Sequence, residues 1–169
     1  MKYATHITLA LFMALNVSSM GEPSTEKTMF KAPASWTKLN DDTRQNCNEI
    51  GRFISEHYSN KGTLSSGDER LDSQWKIPDR EACRISLKGV YTENVPDIDV
   101  FFNGNGWEPL NEYMADGACG GMLGYFKGAT FCMRSIDTNC NGVVDAPPPT
   151  QEFEIQVTCT RAFKRNVIE

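Results

Sequence analysis

Six cysteines, Cys47, Cys83, Cys119, Cys132, Cys140 and Cys159, carry most of the chemistry available to this 169-residue chain. Thiols can form bridges, bind a metal or act as nucleophiles, and the sequence context separates the three. An even count behind an apolar N-terminal stretch predicts three disulfides, each stabilising by about 2–4 kcal/mol. A zinc site is the competing use, but no C-x-x-C pair is present, and His57 is the one histidine beyond residue 21. A thiol nucleophile needs an unbridged cysteine beside a base, which three bridges would not leave.

The remaining candidates are weaker. The segment from Asp137 through Asn139 and Asn141 to Asp145 reads D-x-N-x-N-G-x-x-D, like the first half of a calcium loop. Its twelfth position is Pro148 instead of glutamate, and a helix end followed by an Asn141-Gly142 turn explains it more simply. Asp97 and Asp99 fall two apart on one face of an expected strand. They resemble a glycosidase carboxylate pair or, more plainly, mark a solvated strand face. Tyr91-Thr92-Glu93 is similar to the tyrosine and glutamate of guanyl-specific fungal ribonucleases, yet no later histidine follows to act as general acid. His57 lies at the boundary of an amphipathic helix, without a nucleophile elbow. No catalytic residue and no cofactor is therefore expected. The aromatics Trp36, Trp75, Phe101 and Trp107 sit in or beside loops. They serve either as binding anchors, Trp75, Phe101 and Trp107 being the candidates, or as pins of loop to core.

Periodicity assigns the elements that must hold these residues. Cys47, Ile50, Phe53, Ile54, His57 and Tyr58 recur at helical spacing over 43–58, with Asp42 as cap and Gln45 three residues on. Residues 60–78 read as a long polar loop. A period of two places a strand at 83–88, with Gly89 as a possible bulge, and another at 97–103. A short helix is expected at 109–115 and a second long helix from Ala129 through Cys132, Met133 and Ile136 to Cys140. The clearest strand is 152–159, where Phe153, Ile155, Val157 and Cys159 alternate with polar residues. The expected fold is α+β: two main helices packed on one face of an antiparallel sheet of about four strands, stapled by disulfides. Pairing helix cysteines with strand cysteines favours Cys47–Cys83 and Cys140–Cys159, which leaves Cys119–Cys132.

One basic residue, the apolar stretch Ile7–Val17 and the small residues up to Gly21 make a tripartite secretory signal over 1–21. That stretch is too short to cross a hydrocarbon layer that needs about 20 helical residues, so no membrane anchor is expected. Residues 22–38 follow as a polar leader and 39–169 as one domain, outside the cell. The net charge of −5 without a basic cluster argues against nucleic acid and anionic membranes as partners. A monomer is expected.

The signal, the six spaced cysteines, the Cys47-x-x-Ile50-x-x-Phe53 helix and the Ala82-Cys83-Arg84-Ile85-Ser86-Leu87 strand resemble small secreted cysteine-rich fungal proteins. Within them the chain looks like effectors of plant-pathogenic fungi, and distantly like the killer-toxin and necrosis-inducing families. The resemblance implies a non-enzymatic virulence or avirulence effector that binds a host protein. A secreted toxin or necrosis inducer, and a secreted hydrolase or carbohydrate-binding protein, are the alternatives.

Overall fold

A computed structural model describes residues 30–71, 80–91, 94–117, 119–138 and 151–162. The signal segment 1–21, Trp75, Thr92, Glu93, Cys140 and the calcium-like motif beyond Thr138 lie outside them. The main helix, α1 (Asp41–Tyr58), begins where Asn40 Oδ1 accepts the Thr43 backbone N–H at 3.0 Å, two residues before the expected cap. Asp41 and Asp42 in its first turn complement the helix dipole. Thr43, Asn46, Cys47, Ile50, Gly51, Ile54 and Ser55 form its buried stripe, spaced three and four apart.

The helix lies on one six-stranded antiparallel sheet of β1 (Gly62–Leu71), β2 (Arg80–Val90), β3 (Glu108–Gly117), β4 (Gly120–Lys127), β5 (Thr130–Thr138) and β6 (Glu152–Arg161). The spatial order is β1-β2-β6-β5-β4-β3. This overturns the expectation of about four strands beneath two main helices: six strands carry one main helix. The segment 129–140 is the central error. Its described part forms β5, Thr130–Thr138, and Thr130, Phe131, Cys132, Met133 and Arg134 are all buried. A central strand covered on both faces loses its polar alternation, and Cys132, Met133 and Ile136 then imitate a helix. The expected strand at 97–103 is instead a short helix, α2 (Asp99–Gly104). There Ile98, Phe101 and Phe102 are buried while Val100 is exposed, which is helical spacing. The polar 60–78 segment contributes β1, an edge strand with one solvated face. Residues 109–115 fall in β3, at the other edge, where the missing N–H of Pro109 is tolerated.

Two cores sandwich the sheet. The α1 face carries Cys83, Ile85 and Leu87 of β2, Ile155, Val157 and Cys159 of β6, and Tyr125 of β4. The opposite face of β3–β5 holds Leu110, Phe131 and Met133, joined by Tyr113, Met122 and Phe126. The β3 register shifts between Leu110 and Ala115, and Tyr113 from that bulge lies over Gly124, where a Cβ would approach it to 2.8 Å. Gly89 marks no bulge. It pairs with Gly62 where the two backbones come too close for any side chain. Trp36, from the segment expected as a polar leader, is only 1 % exposed and donates its indole N–H to the Gly67 carbonyl at 3.0 Å.

Cys47 is bonded to Cys83, the expected pairing, and Cys132 to Cys159. The second bond replaces both Cys119–Cys132 and Cys140–Cys159. Those pairings placed Cys132 and Cys140 on a helix, whereas Cys132 sits on β5 directly opposite Cys159 of β6. Cys119 is also bonded; Cys140, the sixth cysteine, lies outside the described residues. The Cys119 carbonyl accepts both the N–H (2.7 Å) and the hydroxyl (2.9 Å) of Thr138, two residues before Cys140. Proteolysis of the unreduced protein is expected to release peptides joining Cys47 to Cys83, Cys132 to Cys159 and Cys119 to Cys140. A peptide joining Cys140 to Cys159 would contradict the strand register.

Candidate functional site

The sheet order obliges the chain to cross from β2, next to one edge, to β3 at the other. Helix α2 lies in that crossover, and the polar cluster that fixes it is the most site-like group among the described residues. Asp97 begins it: its Oδ1 accepts the Asp99 backbone N–H at 3.0 Å, a local turn that starts the helix. Asp99 then reaches β5. Its Oδ1 accepts from Arg134 Nε at 2.9 Å and its Oδ2 from Nη2 at 2.6 Å, a bidentate pair. Tyr125 on β4 donates to Oδ1 at 2.9 Å. Arg134 is 8 % exposed, so Asp99 supplies the charge that its burial demands.

Aromatic rings complete the closure. Phe102 stacks on Tyr125 with centroids 4.1 Å apart, and Trp107 meets Phe102 edge-on at 5.3 Å. Phe101 and Trp107, candidate binding residues in the sequence, are both buried here and pin the crossover to the core. Trp107 keeps its indole N–H without an acceptor among the described residues, under the Lys127 ammonium 5.7 Å from the ring centre.

The cluster is suited to holding and not to proton transfer. Burial, then the hydrogen bond and charge of Asp99, push the Tyr125 hydroxyl up to about 12 against the lowering effect of Arg134. The Asp99 carboxylate already accepts three hydrogen bonds, and Asp97 is exposed and committed to the turn. The two carboxylates therefore do not flank a common cleft as a glycosidase pair must. Asp137, the described member of the calcium-like motif, faces Glu154 across β5–β6. Burial works to raise the Glu154 carboxyl, but hydrogen bonds from Lys88 and Ser86 with the Lys88 and Arg84 charges outweigh it and hold it low. His57 is exposed and stacks on Phe53 at 4.3 Å, its Nδ1 2.9 Å from the Phe53 carbonyl.

Beside α2 this surface continues as a ring cluster. Phe53 contacts Phe101 at 5.1 Å and Tyr58 edge-on at 5.9 Å, and Tyr58 donates its hydroxyl to the Asp97 carbonyl at 2.7 Å. Burial, then the Asp97 charge, raise the Tyr58 hydroxyl. Val100 of α2 is 56 % exposed at this end. Surface clefts lie elsewhere: one of about 510 Å³ beside Asp137 and Glu154, and others of about 450 and 420 Å³ at the β1 edge against Leu39 and Phe30. Sequence reasoning missed Arg134 and Tyr125. The signal was a lone arginine inside the apolar run Phe131–Ile136, which a central strand admits only with a buried partner.

No family model, curated protein or solved structure matches this chain. Asp99→Asn is expected to destabilise the fold by about 2–3 kcal/mol, below the value for breaking a fully buried pair because Asp99 remains partly solvated. The measurement is chemical denaturation. Neutral Tyr125 stabilises the fold fully below pH 10, its unfolded value, and that contribution is lost as pH rises to about 12. Between these limits the thermal midpoint should fall more steeply in the wild type than in Tyr125→Phe.

Proposed function

We propose that this chain is a secreted, disulfide-stapled effector-type protein of a plant-associated fungus that binds a host protein without catalysing a reaction. The observation that carries the reading is the ring cluster at the α2 end. Phe53, His57 and Tyr58 are held against one another, Phe53 also meets buried Phe101, and Val100, the residue before Phe101, is exposed. Aromatic side chains already fixed in place lose little conformational freedom on binding, and aromatics dominate the energetics of protein interfaces. The saturated Asp99–Arg134–Tyr125 network supports the same reading, since it spends its hydrogen-bonding capacity on fixing that end of the molecule.

Secretion rests on the tripartite signal over 1–21 and agrees with bridged cysteines. Among the described residues no helix is long and apolar enough to cross a membrane. Protein recovered from culture medium is expected to begin at Met20 or Glu22. An N-terminus at Met1 on the released protein would remove the signal reading.

Val100→Arg places a charge at the exposed position next to Phe101 in α2, outside the core, so stability should change by no more than about 0.5 kcal/mol. A host protein retained by the immobilised wild type should be lost at least tenfold by this variant. Equal retention would place binding elsewhere. Damage to leaf and fungal cells alike, unchanged by Val100→Arg, would favour the toxin reading over host-protein binding.

A further inference from the structure

Sulfur atoms that the sequence scatters over more than a hundred residues converge at one point of the fold. Cys132 on β5 is directly opposite Cys159 on β6, and Cys159 is directly opposite Cys83 on β2. The three form a single row across neighbouring strands, on the face that α1 covers. Cys47 descends from α1 onto the row. The sulfurs of Cys47, Cys83 and Cys159 lie within 4.8 Å of one another, and that of Cys132 is 2.05 Å from Cys159. All four residues are fully buried.

We propose that this cluster is a latent zinc site, formed by Cys47, Cys83, Cys132 and Cys159 once their two bridges are reduced. In a tetrahedral thiolate site a Zn–S bond of about 2.3 Å sets the sulfurs about 3.8 Å apart. Cys47, Cys83 and Cys159 already lie near that spacing, and opening the bond to Cys159 frees the Cys132 sulfur to complete the set. The four ligands come from one helix and three strands paired by backbone hydrogen bonds, which position them independently of the sulfur–sulfur bonds. Thiolates are soft ligands and select zinc over calcium or magnesium, and a closed, water-free site with four protein ligands is the form of structural zinc centres.

The chemistry balances with a dithiol as reductant. Two dithiols deliver four electrons and four protons, opening both bridges to four thiols while each dithiol closes to a cyclic disulfide. One Zn²⁺ then replaces the four thiol protons, which pass to solvent. Metal would thus take over the cross-linking of α1, β2, β6 and β5 wherever the surroundings become reducing, because metal affinity gained only in the folded state is folding free energy. This property does not rest on the host-binding reading, since it concerns the core and not the ring cluster.

The test uses the full mature chain, reduced with a phosphine and titrated with Co²⁺ and then Zn²⁺. The expected result is one cobalt per chain with the visible absorption of a tetrahedral thiolate complex, displaced by zinc, and no such absorption from the oxidised chain. Zinc should raise the thermal midpoint of the reduced protein. It should also slow alkylation of Cys47, Cys83, Cys132 and Cys159 at least tenfold while leaving Cys119 reactive. Cys159→Ser should weaken cobalt binding at least a hundredfold. Should that variant fail to fold, the alkylation pattern of the unmutated chain decides. Absence of the cobalt spectrum, an equal spectrum from the oxidised chain, or zinc protection of Cys119 to the same degree as the other four would each overturn the proposal.

Discussion

The structure depends on the last strand in the sequence taking its place between β2 and β5. Without β6 the chain is a β1–β2 hairpin and a β3–β4–β5 meander that share no ladder. Inserting β6 joins them and puts Ile155, Val157 and Cys159 under the apolar stripe of α1. The strand must bury one face fully, which fixes its register: a slip of one residue would turn Glu154 and Gln156 toward the helix. Disulfides reinforce this arrangement from both sides. Cys132–Cys159 fastens β6 to β5, and Cys47–Cys83 fastens the helix to β2. Closing loops with sequence separations of 27 and 36 residues, each contributes about 3–4 kcal/mol in the chain-entropy view.

With β6 in the middle, the connection from β2 to β3 has to cross the sheet, and α2 packs in that crossover on the face that α1 also covers. A helix of six residues has no stability of its own. It is held by Phe101 and Phe102 in the core and by the charge pair to Arg134. Through Phe101, the same packing reaches Phe53 of the ring cluster.

The two edges of the sheet are also managed. Trp36 sits against β1 and occupies the Gly67 carbonyl, and β3 carries Pro109 and a register break. Both devices obstruct the addition of another strand.

By itself the sequence determined what local patterns can carry: the helix at α1, the strands at β2 and β6, the chemistry of the cysteines, and the Cys47–Cys83 contact between a helix stripe and an inward strand face. Each has one strongly apolar face opposite a largely polar one, so its apolar residues repeat with the period of the element. The tertiary structure decided the rest. Strand β5 is buried on both sides and has no period of two to read; β1 is a polar edge; α2 exists only because a crossover must span the sheet. Cys132–Cys159, the Asp99–Arg134–Tyr125 pairing and the gathering of four sulfurs all join residues distant in sequence, and no spacing records them. They follow from strand order, and strand order is set by which faces can be covered at once.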